Sequence, residues 1–145
     1  MKKILILTAA LLLGAVTALA ATDRPISPDK LPAAAKTFIQ QYFPERTIAY
    51  AEKDGALTRT KYEVHLSDGT EIEFKSNGEW DKVDCKFAPV PAALVPAPIT
   101  QYVETNFPGA VIVKIDKERH GWDVELNNDL ELKFSQAGTL MYIDD

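Results

Sequence analysis

Stretches in which apolar and polar residues alternate recur along this chain, and they predict half-buried β-strands. The clearest case has Tyr62, Val64 and Leu66 alternating with Glu63 and His65. Because successive side chains of a strand point to opposite faces of a sheet, this pattern gives one apolar face and one polar face. The other predicted strands include residues 47–52, 71–75, 110–116 and 121–126.

Two further stretches have the spacing of amphipathic helices. In the first, Ala35, Phe38, Ile39 and Tyr42 fall at positions i, i+3, i+4 and i+7, and Pro44 ends the stretch. Ser27 or Asp29 is the expected N-cap, and Pro32 suits the first turn. The second stretch repeats the plan with Ile99, Tyr102, Val103, Asn106 and a closing Pro108.

The two halves of the chain match each other in the same order, at a spacing of 64 residues in the helical stretches and 60 residues along the strands. Residues 38–44 align with 102–108, and residues 62–66 and 71–74 align with 122–126 and 131–134. The match predicts an α+β fold of two tandem α-β-β-β-β repeats, with an antiparallel sheet and both helices on one face. The predicted parts are a first repeat at 21–88, a proline-rich connector at 89–98 and a second repeat at 99–145. Both repeats are expected to form one domain.

Asn77-Gly78 predicts a two-residue hairpin loop, because both residues tolerate positive φ. Such a loop pairs Lys75 with Trp80 and Phe74 with Asp81, which places Trp80 on the polar face of the sheet. That face is expected to be open to solvent. An aromatic residue among charges is typical of a protein-binding hot spot, although the connector is an alternative cover for Trp80. The candidate binding residues on this face are His65, Glu71, Glu73, Trp80, Lys82, Leu140 and Tyr142.

Residues 1–20 have the pattern of a secretory signal peptide. Lys2 and Lys3 precede an apolar run, and a small-residue ending predicts cleavage after Ala20. The run is too short to cross a bilayer comfortably. The predicted location is therefore the periplasm or the extracellular space, without membrane insertion after cleavage.

Removing that segment leaves 14 basic and 21 acidic residues, because two of the 16 Lys and Arg residues are Lys2 and Lys3. An acidic exported protein is expected to repel nucleic acid and to favour a basic partner, here another extracytoplasmic protein. Cys85 is the single cysteine, so it is either buried and inert or available for an intermolecular bond.

The repeated motifs resemble those of the PepSY-like family. They are a Leu-Pro helix start, Tyr-Phe-Pro or Asn-Phe-Pro, then Tyr/Trp-Glu/Asp-Val-x-Leu and Glu-x-x-Phe-x-x-x-Gly, within residues 31–144. The resemblance implies a fold like that of the β-lactamase inhibitor protein and an exported protein of a Bacteroides-type bacterium. The family name points to peptidase inhibition or regulation through a sheet surface. It supplies no catalytic residues.

The sequence shows no assembled catalytic or metal-binding motif. His65 and His120 are both expected to be solvated surface residues, and neither accompanies a nucleophile pattern. One cysteine and two distant histidines form no local zinc motif. The sequence thus predicts a non-enzymatic binding module without a cofactor. The alternative is a small-ligand or cation sensor that uses the carboxylates of the sheet, and an unrecognised hydrolase ranks last.

Overall fold

The computed structural model describes residues 23–55 and 60–145, and the predicted signal peptide lies outside them. The strands are β1 (Arg24–Ile26), β2 (Ile48–Asp54), β3 (Lys61–Leu66), β4 (Glu71–Lys75), β5 (Trp80–Asp84), β6 (Ile112–Lys117), β7 (Gly121–Leu126), β8 (Glu131–Ser135) and β9 (Leu140–Asp144). The helices are α1 (Ala33–Tyr42) and α2 (Ala97–Asn106). The fold is therefore α+β.

All nine of the described strands belong to one antiparallel sheet, and they follow one another in chain order. The sheet continues across the middle of the chain, where β5 pairs with β6 and Val83 lies opposite Ile115. The sequence left this continuity open. Strand β1, which has no alternating pattern to reveal it, pairs with β2 at one edge.

Each helix packs on the sheet through an aromatic residue. Phe38 of α1 meets Phe74 edge to face, with ring centroids 5.5 Å apart, and Tyr102 of α2 meets Phe134 in the same way at 5.5 Å. Pro32 is the N-cap of α1, so the expected cap by Ser27 or Asp29 is wrong. Each helix has ten residues, and within the described parts of the chain no helix has the length and apolar character needed to cross a bilayer.

The core is one cluster of buried side chains from the helices, the strands and the segments that connect them. Its largest fully buried side chains are Phe43, Ile72, Phe74, Ile99, Ile115, Leu126, Leu132 and Phe134. Burial of a side chain of this size contributes about 1.5–3 kcal/mol. This core stabilises the fold, and Cys85 is a free, buried thiol.

The hairpin between β4 and β5 differs from the prediction. The Gly78 N–H donates to Lys75 O (2.9 Å) and the Lys75 N–H donates to Glu79 O (2.8 Å), so the loop holds three residues, 76–78. Gly78 has φ +88°, and a Cβ there would lie 2.9 Å from the Cβ atoms of Pro32 and Ala34. Glycine at position 78 therefore suits both the positive φ of the loop and the close approach of α1.

The longer loop moves Trp80 to the helix side of the sheet. Trp80 pairs with Phe74, and an irregularity at Glu73/Phe74 restores the predicted pairing of Val83 with Ile72. The predicted pairs of Lys75 with Trp80 and Phe74 with Asp81 are wrong. The ring of Trp80 instead lies 6.0 Å from that of Phe38 in α1.

Leu140 follows the same course in the second half of the sheet. It pairs with Phe134, again beside an irregularity, and borders a cleft with Pro98 and Tyr102 of α2. The predicted place of Leu140 on the open face is therefore also wrong.

Candidate functional site

The face of the sheet opposite Phe74 and Phe134 carries two rows of side chains, which we call the open face. The first row runs across the strands through Tyr50, His65, Glu71, Asp84, Lys114, Glu125, Glu131 and Asp144. The second row runs through Glu52, Glu63, Glu73, Lys82, Asp116, Asp123, Lys133 and Tyr142.

Negative charge dominates both rows. Each row has five carboxylates, against one lysine in the first row and two in the second. Glu52, Glu63 and Glu73 even lie directly opposite one another on adjacent strands, an arrangement of like charges that costs free energy. The open face therefore attracts cations and basic surfaces.

Five of the predicted binding residues lie on the open face. They are His65, Glu71, Glu73, Lys82 and Tyr142. Their place on the sheet agrees with the prediction, whereas their role in binding stays a prediction. Trp80 and Leu140 lie on the opposite side of the sheet and are therefore not candidates for binding at the open face.

His65 is the centre of a small polar cluster. The ring of Tyr50 stacks on it at 4.1 Å, its Nε2 lies 2.8 Å from Glu63 Oε1, and its Nδ1 lies 3.7 Å from Glu71 Oε1. Only 15% of the His65 side chain is exposed, so the expected solvated histidine is wrong. Burial raises the pKa of Glu63; His65 opposes this, and the neighbouring Glu73 adds to it.

One group within this cluster has the composition of a metal site. Ligand atoms of Glu52, Glu63 and His65 all lie within 4.8 Å of one another. Carboxylate and imidazole ligands suit zinc and other first-row transition metals, whereas calcium prefers oxygen alone. Sequence reasoning missed Glu52, because only the pairing of β2 with β3 places it opposite Glu63.

Asp123 is the most buried carboxylate of the open face and is fully paired. It accepts a hydrogen bond from Lys133 Nζ (3.1 Å) and lies 2.6 Å from His120 Nε2. Lys133 also donates to Glu131 (2.9 Å), and the two carboxylates raise its pKa. His120, which was expected to be solvated, is thus in contact with Asp123. The contacts among His120, Asp123, Lys133 and Glu131 hold these charged groups in place near the β9 end of the open face.

Phe87 is an exposed aromatic residue at the border of the open face. Its side chain is 96% exposed, and it lines a cleft of about 470 Å³ with Asp84, Lys86 and Glu125. Lys86 has φ +61° and its amine lies 3.0 Å from both Asp84 and Glu71. Phe87 adjoins the proline-rich connector, where no alternation predicts which side chains are exposed, so sequence reasoning missed it.

Cys85 does not contribute a nucleophile to this surface. The residue is 5% exposed, and burial raises the pKa of its thiol to about 11. Because the thiolate is the reactive form, a thiol with this pKa is inert at neutral pH. The finding agrees with the interpretation of Cys85 as a buried and inert thiol.

The chain is similar to solved periplasmic proteins of Bacteroides. One, from Bacteroides thetaiotaomicron, is described as a "putative calcium-regulated periplasmic protein"; it is 38% identical, with a TM-score of 0.80 over 85% of this chain and 97% of that one. A second, from Bacteroides vulgatus, is described as a "putative periplasmic protein from DUF2874 family"; it is 37% identical, with a TM-score of 0.81 over 87% and 99% of the two chains.

A third solved protein, also from Bacteroides vulgatus and described as a "putative periplasmic protein of unknown function", is 38% identical. Its TM-score is 0.81 over 85% of this chain and 99% of that one. The chain matches none of the curated proteins. Residues 60–142 match the family described as "Putative beta-lactamase-inhibitor-like, PepSY-like". The chain therefore belongs to the PepSY-like family.

Proposed function

We propose that this protein is an exported, non-enzymatic binding module, and that its open face binds a basic surface of another extracytoplasmic protein. The observation that carries the proposal is the excess of carboxylates over lysines in both rows of that face. An excess of one charge on a surface steers a partner of opposite charge towards it and fixes the orientation in which it docks.

The proposed architecture is a tandem repeat with both helices on one side, which leaves the other side for the partner. Two registers support it. Val83 pairs with both Ile72 and Ile115, so the apolar faces of the two halves lie on the same side of the sheet. The irregularity beside Phe74 recurs beside Phe134, 60 residues later. The periplasmic names of the relatives support export, which the proposed signal peptide would direct.

Phe87 is the proposed anchor of the complex. Protein interfaces depend on a few buried aromatic residues surrounded by polar groups, and Phe87 lines one cleft with the carboxylates of Asp84 and Glu125. A partner that covers Phe87 would remove a nearly fully exposed apolar ring from water. Inhibition of an enzyme with a basic surface is one form that this function takes, in keeping with the family description.

Capture from a periplasmic extract tests the proposal. Phe87→Ser and Glu73→Lys each change the surface, at an exposed ring and at the middle of the second row. Glu104→Lys makes the same charge change on the exposed side of α2 and is the matched control. We expect wild type and Glu104→Lys to retain a partner that both surface variants lose, with capture decreasing as salt increases. Equal recovery by all four proteins, with unchanged thermal unfolding, would contradict the proposal.

A second candidate function is cation sensing at Glu52, Glu63 and His65. Their convergence favours it, and so does the description of one relative as calcium-regulated. A cation that binds only the native protein at 100 times its Kd stabilises it by about 2.7 kcal/mol. Thermal unfolding with calcium, zinc or manganese measures this, with Glu52→Gln as the variant and Glu104→Gln as its control. No shift with any of these ions would exclude the candidate, and a shift that Glu52→Gln retains would place the ion elsewhere.

A further inference from the structure

The two edge strands of the described sheet differ in how they are protected. The β1 edge is three residues long, with a charged Arg24 and a proline, Pro25, which has no N–H to offer a new strand. The β9 edge presents three consecutive exposed apolar side chains, Met141 (52%), Tyr142 (49%) and Ile143 (42%). An apolar edge is a place where another strand pairs, and β5 shows that the irregularity near the start of the strand still leaves its last three residues able to pair.

Strand β5 is the equivalent of β9 in the first half of the chain, and it has a neighbouring strand on each side. In β5, Val83 pairs with Ile72 on one side, and β6 adds Ile115 on its other side. Val83 is fully buried there. In β9, Ile143 pairs with Leu132 just as Val83 pairs with Ile72. Within residues 23–55 and 60–145, however, no strand lies on the other side of β9.

Charge indicates which residue a strand that pairs with β9 should carry. Where β6 meets β5, Lys114 lies opposite Asp84. Asp144 is the equivalent of Asp84 in β9, and it ends the run Glu125, Glu131, Asp144 across three adjacent strands. A lysine opposite Asp144 would relieve this run of like charges.

We propose that β9 is a docking edge for an extended segment of another protein, which pairs antiparallel with it as β6 pairs with β5. The segment places an apolar residue opposite Ile143 and a lysine opposite Asp144. A second copy of this chain fits less well, because antiparallel pairing of two β9 strands about Ile143 sets Tyr142, not a lysine, opposite Asp144. The pairing surface here is the backbone edge of β9, although the side chain of Asp144 also ends the first row of the open face.

The sequence of β6 supplies the probe. A fluorescent peptide of residues 111–117, Val-Ile-Val-Lys-Ile-Asp-Lys, is titrated with the chain without residues 1–20, and binding is measured by fluorescence anisotropy. We expect saturable binding that Asp144→Lys weakens about tenfold, because an opposite-charge pair becomes a like-charge pair. Asp145→Lys makes the same charge change just beyond β9 and is expected to change affinity by less than about twofold.

A reciprocal exchange of charge makes the test specific. A peptide with Lys114→Glu is expected to bind wild type weakly and to regain affinity for the Asp144→Lys protein. Absence of saturable wild-type binding, or equal binding by wild type and Asp144→Lys, overturns the proposal. A dimer in sedimentation velocity that Ile143→Lys dissociates, together with failure of the peptide to bind, assigns the edge to a second copy instead. Phe87→Ser and Glu73→Lys lie away from β9, so their effect on capture tests the open face separately.

Discussion

The indole rings of Trp80 and Trp122 lie with their centroids 6.2 Å apart, and Lys117 Nζ lies 3.9 Å from the centroid of the Trp80 ring. The three residues belong to β5, β7 and the end of β6. This cluster therefore joins the two halves of the sheet on its helix side, where Phe38 of α1 also contacts Trp80. Burial lowers the pKa of Lys117, although the face of the Trp80 ring attracts the charged form of the amine.

Trp80→Ala is expected to destabilise the protein. Removing this ring leaves a cavity against Phe38 and Trp122, at a cost of about 2–4 kcal/mol in the free energy of unfolding. Urea unfolding measures it. Tyr142→Ala, which removes a half-exposed aromatic side chain on the open face, should cost less than about 1 kcal/mol. An equal loss in the free energy of unfolding for the two variants would show that Trp80 contributes no more to packing than the half-exposed Tyr142 does.

The alternation of apolar residues and the match between the two halves were enough to predict eight of the nine described strands and the class of the fold, but not the side on which Trp80 lies. Asn77-Gly78 is compatible with a loop of two or three residues, and one added residue turns the next side chain to the other face. The choice depends on α1, whose Pro32 and Ala34 approach Gly78. That contact between distant parts of the chain has no signal in the local sequence.

The candidate surface was easiest to predict where the alternation is regular. His65, Glu71 and Glu73 lie in strands whose apolar residues fix the register, and they face as predicted. The place of Glu52 depends on the pairing of β2 with β3, and Phe87 follows Lys86, which has a positive φ and precedes the connector. No periodic pattern in the sequence predicts the position of either residue.

Gly121→Ala is expected to prevent normal pairing of β7 with β8. Gly121 has φ +150°, and a Cβ there would lie 2.2 Å from Phe134 O and 2.3 Å from Ser135 C, both backbone atoms. We expect a loss of more than about 3 kcal/mol, or failure to fold. Gly109→Ala is the control: its φ is +84° but no atom lies within 4 Å, so backbone strain alone should cost about 1 kcal/mol. Equal stability of both variants by urea unfolding would contradict the close approach at Gly121.

Asp84→Asn is expected to destabilise the protein at neutral pH but not in acid. Burial alone would raise the pKa of Asp84, but hydrogen bonds from Lys86 and the charge of Lys114 outweigh it and lower the pKa below its ordinary value of 3.8. The ionised carboxylate thus stabilises the native state above the ordinary pKa, and this contribution is lost as pH falls through the lowered folded-state pKa. We expect a loss of about 1–2 kcal/mol at pH 7. A loss of the same size at pH 2 would show that charge is not its cause.

Asp116→Asn is expected to act in the opposite direction, although Asp116 lies on the same face and next to the same Lys114. Burial raises the pKa of Asp116 above its ordinary value of 3.8, and the attraction of Lys114 and Lys82 only partly offsets this. The native state therefore holds the proton more tightly than the unfolded chain, so ionisation of Asp116 weakens the fold as pH rises from the ordinary pKa through the folded-state pKa. Asparagine removes this cost, and we expect the variant to be more stable than wild type at pH 7 by up to about 1 kcal/mol, with the gain absent at pH 3. Urea unfolding at both pH values measures the difference, and a variant less stable than wild type at pH 7 would show that the lysines outweigh burial at this position.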